Sequence, residues 1–197
     1  MDPQTIFDTC KLVYKKMLSR VRMMAETVSS LDEVDLDSEQ VIIDFDIILQ
    51  YSLLQIAVAD YELDNNEIIF IRDLTEEGDF VEDLINERFN RSITWESIYG
   101  GGALIIKDLL SSLKSEMTKI SNDFVWVVAL FDTLTPEHNY VEEFEKMIWQ
   151  IFGGVSIIDG QLTNSEKRAV PLLADLVDMI KDKKEDMENT LKKDDNE

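Results

Sequence analysis

An acidic corner between two apolar helical patterns occurs twice in this chain, and it limits the folds available more than any other feature. Ala59-Asp60-Tyr61-Glu62-Leu63-Asp64-Asn65-Asn66-Glu67 closes a long apolar run and opens a new helical pattern. Ile158-Asp159-Gly160-Gln161-Leu162-Thr163-Asn164-Ser165-Glu166 repeats the device, so that Asp60 and Asp159, like Glu67 and Glu166, stand 99 residues apart. In both copies an Asp ends a helix, a Leu sits mid-turn and a Glu falls in the first turn of the next helix. No stretch shows sustained period-two alternation, and 7 Gly and 3 Pro in 197 residues are few for a turn-rich β fold. The expected class is all-α, a compact multi-helix domain of two similar halves with no sheet.

Capping accounts for part of each corner without any ligand. Asp64 to Glu67 and Thr163 to Glu166 both have capping-box spacing, in which the cap oxygen accepts an amide three residues on and the Glu reaches back. Leu63 and Leu162 fit the apolar position before the cap. Asp60 and Asp159 are left over, because an anion at a helix C-terminus is disfavoured by about 0.3–1 kcal/mol. Either the carboxylate folds over to the next helix's amides, or it shares a hard cation with Glu67 or Glu166 and loop carbonyls. An EF-hand fits poorly: Asp60, Glu62, Asp64 and Asn66 imitate its alternating ligands, but Asn65 replaces the glycine and Ile71 the bidentate acid.

Ala57-Val58-Ala59-Asp60 with Glu67, and Ile158-Asp159-Gly160 with Glu166, resemble the corners of the tellurite-resistance TerB family. The resemblance spans about residues 38–182. It implies a helical domain of two similar halves, a stress- or metal-linked role, and metal ligation by acids in the corners. Carried over residue by residue, the candidate ligands are Asp60, Glu62, Asp64, Glu67, Asp159 and Glu166. The implied ion is a divalent cation, Ca²⁺ or Mg²⁺ before Zn²⁺. Tyr61 departs from the family's usual Gly, and Thr163 from the acid found at Asp64.

The remaining chain divides into residues 1–37, a basic amphipathic helix and acidic connector; 38–182, the helical domain; and 183–197, a charged mobile tail. Residues 5–28 carry apolar groups at helical spacing together with Lys11, Lys15, Lys16, Arg20 and Arg22. This helix either docks its basic face on the acidic body or serves a membrane or a partner, and docking is the simpler reading. Ser29 to Asp37 reads as a solvated loop, before a helix over about 39–59 that is apolar nearly all round and therefore central. Short helices are expected over 65–74 and 78–90, the second with Phe80, Leu84, Ile85 and Phe89 inward, then a further turn at Ser92 to Tyr99 with Trp95 and Ile98 packed. Residues 103–133 are expected as helix in two pieces split near Ser121-Asn122-Asp123. Thr135-Pro136 is read as the start of a helix reaching Asp159. A last helix is expected from Asn164, with Pro171 inside it, fraying from Lys181.

A formal charge of −22 repels nucleic-acid phosphates and anionic lipid and favours cations or basic proteins as partners. The single Cys10 excludes an intramolecular disulfide framework. No signal peptide is expected at Met1 to Thr5, and the runs Phe124–Phe131 and Met147–Ile158 are too short to span a bilayer, so a cytoplasmic location is expected. Catalytic candidates are thin. His138, the one histidine, is expected on an exposed face, Cys10 on a buried one, and Gly100-Gly101-Gly102 lacks the Gly-Lys-Ser/Thr ending of a phosphate loop. Trp95, Trp126 and Trp149 are read as core, and Gly153-Gly154 as a close helix crossing. The sequence thus points to a non-enzymatic, cation-binding helical domain; an acidic interaction module without an ion is the alternative, and a carboxylate-based hydrolase a weaker one.

Overall fold

Asp2 opens the first helix, α1 (Pro3–Ser29), by accepting the Thr5 amide at 3.3 Å, and Pro3 occupies a first-turn position where a missing N–H costs nothing. The structure is a computed structural model describing residues 2–31, 34–61, 65–75, 102–158, 160 and 163–194. Every regular element among the described residues is helical, and together they pack as a compact all-α body.

Ile6, Cys10, Tyr14, Met17, Val21, Met24 and Val28 recur every three or four positions on α1 and are buried. Three of the five basic side chains of its polar face dock on the body. Lys16 and Arg20 pair with Glu143, and Lys11 donates to the carbonyls of Asp73 and Leu74, where its charge complements a helix C-terminus.

The central helix, α2 (Ser38–Ala57), starts at Asp37, whose carboxylate accepts the amides of Glu39 at 3.1 Å and Gln40 at 3.2 Å. It is long and apolar enough by composition to cross a membrane, contrary to the expectation that no run is; 78% of that window is buried in protein, as suits a core helix. Its acids are satisfied internally: Asp46 accepts the Tyr14 hydroxyl at 2.9 Å, and Asp44 accepts the Gln40 side-chain amide at 2.8 Å.

Beyond the first corner lies α3 (Asn65–Leu74). The second helix expected over 78–90, the Ser92–Tyr99 turn, Trp95, Ile98, Gly100 and Gly101 lie outside the described residues. The next described element, α4 (Gly102–Leu134), is one helix rather than two. Ser121 is fully buried there, but its hydroxyl bonds the Thr118 carbonyl at 2.7 Å, so no break is needed.

Thr135-Pro136 proves to be a turn, not a helix start. Thr135 Oγ1 bonds the Phe131 carbonyl at 2.6 Å and so closes α4, and α5 (Tyr140–Val155) is capped by Asn139 through the Glu142 amide at 3.0 Å. Buried Asp132 reaches across the turn to the Tyr140 amide and to Lys184, both at 2.6 Å. Phe45, Phe124 and Phe144 join α2, α4 and α5 at centroid distances of 5.4–6.4 Å, two of the three contacts being edge-on.

The last helix, α6 (Leu172–Asp194), differs at both ends from its expected form. Only a 3₁₀ turn, Glu166–Arg168, follows the second corner, and Pro171 precedes α6 instead of bending it. The first amides of α6 are met by α2: Leu172 donates to Gln55 Oε1 at 2.8 Å and Leu173 to Ser52 Oγ at 3.0 Å. At the other end the helix runs on to Asp194, through part of the expected tail, and Lys184 ties it to Asp132.

Candidate functional site

Both corners turn on one left-handed residue at the equivalent position. Tyr61 has φ 69° and Gly160 φ 87°, and Tyr61 is the only non-glycine with positive φ among the described residues. Each donates its amide three residues back, Tyr61 to Val58 at 3.2 Å and Gly160 to Ile157 at 3.0 Å. Two residues earlier, Ala59 donates to Ile56 at 2.9 Å and Ile158 to Val155 at 3.4 Å. These two pairs of donors and acceptors correspond at the sequence spacing, whereas Val58 donates to Leu54 four residues back and its counterpart Ile157 to Gly154 three residues back.

Their chemistry diverges from there. At the second corner Thr163 and Glu166 form the capping box: the Thr163 amide donates to Glu166 Oε2 at 2.7 Å, and the Glu166 amide to Thr163 Oγ1 at 3.2 Å. Glu166 is buried. At the first corner Lys107 of α4 donates to the Ala59 carbonyl at 3.3 Å and lies over the Tyr61 ring at 3.7 Å from its centroid. An ammonium therefore stands at the C-terminus of α2, where the dipole favours a cation. A left-handed Tyr costs about 1–2 kcal/mol, and the contact with Lys107 offsets part of it.

Of the six candidate ligands, Asp60, Glu67 and Glu166 lie among the described residues; Glu62, Asp64 and Asp159 lie outside them, as do Leu63 and Leu162. Glu67 is buried like Glu166, whereas Asp60 is half-buried. No three His, Cys, Asp or Glu side chains gather to hold a metal ion among the described residues. The corners nonetheless approach each other: Asn66 beside Glu67 and Ile158 beside the second turn line one cleft of about 190 Å³ with Phe7 and Phe70.

Other candidates resolve simply. His138 is exposed, stacked edge-on to Tyr140 at 5.5 Å. Cys10 is buried, and burial pushes its thiol up to about 11, so it stays protonated at neutral pH. Gly154 is the close crossing: a Cβ there would stand 2.3 Å from Cys10 Sγ, while Gly153 faces open space. Trp149, read as core, is 51% exposed on the outer face of α5, and Trp126 is half-buried.

One feature of the surface escaped sequence reasoning. Between α4 and α6 runs an open groove of about 530 Å³, floored by Trp126 and Met179 and edged by Asp123, Asp182 and Asp186. Its signal in sequence is the spacing of Met179, Asp182 and Asp186 on one helical face, which continues into the residues expected as a tail. Comparison with protein-family models, curated proteins and solved structures returns no match to this chain.

Proposed function

We propose that this chain is a non-enzymatic, acidic helical interaction domain, TerB-like in its paired corners, that recruits a basic protein partner. The observation that carries this reading is the use of its own cations. Lys11 and Lys107 sit on helix-end carbonyls, and Lys16, Arg20, Lys114, Lys146, Lys181 and Lys184 are paired with acids of the same chain. Against 19 Lys and Arg stand 41 Asp and Glu, so the unneutralised charge on the surface is negative. A short helical peptide of lysine and leucine should bind the full chain with an affinity that falls steadily as NaCl rises and is indifferent to EDTA. No binding at low salt would refute the reading.

A second reading, divalent-cation binding at the corners, is favoured by the equivalent left-handed residues Tyr61 and Gly160 with buried Glu67 and Glu166. The Glu166 capping box and Lys107 at the first corner weigh against it, because both meet local needs without an ion. In that reading Ca²⁺ or Mg²⁺ raises the melting temperature of the wild type and not that of Asp60→Asn/Asp159→Asn. An equal response of both proteins, or no response in either, removes it.

A further inference from the structure

We infer that the groove between α4 and α6 is the docking site for a basic amphipathic segment of another protein, one that places an apolar side chain on Trp126 and Met179 and lysine or arginine against Asp123, Asp182 and Asp186. The inference rests on the interaction-domain reading and assigns it a place.

Charge marks the groove out. On its flank toward α5, α6 pairs the acids it faces, Lys181 with Glu145 at 2.8 Å and Lys184 with Asp132 at 2.6 Å. On the flank toward α4, none of Asp123, Asp182 and Asp186 has an ion pair among the described residues, although Lys183 stands on the same rim. Asp44 of α2 adds to the local charge: burial holds its carboxyl above the usual carboxylate range, and neighbouring Asp123 pushes it the same way. A cation entering the rim would relieve this repulsion.

Shape supplies the other half. Trp126 is half-buried and Met179 is 36% exposed, so the floor offers an aromatic face and a pliable thioether between carboxylates. Met179, Asp182, Lys183 and Asp186 recur at helical spacing, so the rim follows the axis of α6 and suits an elongated ligand. A second copy of this chain fits poorly, because it would bring a further −22 against the same acids.

Anisotropy of the dye-labelled lysine–leucine peptide, measured against the full chain, tests the site. Asp182→Asn/Asp186→Asn changes only exposed side chains and should weaken binding about tenfold, as expected for two rim pairs together. Trp126→Ala should weaken it by at least about tenfold. Glu142→Gln/Glu145→Gln removes the same charge from the α5 side and should leave the affinity within about twofold. An all-lysine peptide of equal charge should bind the wild type at least about tenfold more weakly, for want of an apolar anchor. Should wild type bind while Asp182→Asn/Asp186→Asn binds equally well, or is weakened no more than Glu142→Gln/Glu145→Gln, the groove is overturned and the acidic-domain reading stands. Should wild type bind neither peptide, both fall.

Discussion

The two corners share a left-handed residue at the equivalent position and differ in the contacts around it. The second has glycine where the chain turns left-handed and a capping box beyond it, both within a few residues. The first keeps the turn with Tyr61 and depends on a lysine from a distant helix. Matching geometry at fixed spacing thus does not imply matching chemistry. A turn can be held by local residues or by a tertiary contact, and only the local solution is visible as a motif.

The largest expected effect probes how the second corner is approached. Gly154→Ala forces a methyl into Cys10 and should cost about 1–3 kcal/mol, read as a lower denaturant midpoint, while Gly153→Ala should be neutral or gain up to about 1 kcal/mol. Equal effects would mean the α1–α5 crossing is not tight at Gly154. Next, Thr163→Ala should cost about 1 kcal/mol by removing the cap. Glu166→Ala should cost about as much, and a clear excess over Thr163→Ala would show that the glutamate has a role besides capping.

Replacing the left-handed residues should give opposite signs. Gly160→Ala should lose about 1 kcal/mol. Tyr61→Gly should gain up to about 1 kcal/mol in a Lys107→Met background and less in the wild type, where it also removes the cation contact. Additivity in that cycle would break the contrast between the corners. The smallest effect concerns Asp44. Its folded pKa is raised, so its ionised form disfavours the fold above that value, and the penalty disappears as pH falls through it. Asp44→Asn should therefore raise the melting temperature at neutral pH and change it little in acid.

Helix existence was legible in the sequence because periodicity is a local property. The all-round apolar α2, the buried stripe of α1 and the thiol of Cys10 could all be read from spacing. Boundaries failed where a side chain has two uses. Thr135 looked like the cap of the following helix and instead closes the preceding one, while Ser121 looked like a break and bonds its own helix. Lys181 onward lacked a core stripe, yet Lys184 finds buried Asp132 from another element, a pairing that sequence spacing does not disclose. For the candidate site, the repeat, the capping box at Thr163 and Glu166 and the crossing at Gly154 were legible. Lys107 at the first corner and the groove between α4 and α6 were not, since each depends on packing between distant segments.

The capping of α6 by Ser52 and Gln55 has a kinetic consequence. A helix that carries its own cap can nucleate alone, but the first two amides of α6 find their acceptors on α2, more than a hundred residues earlier. The start of α6 is therefore fixed only once α2 stands in place, and closing so long a loop comes late and slowly in folding. Ser52→Ala should then act mainly by speeding unfolding, with little change in the folding rate.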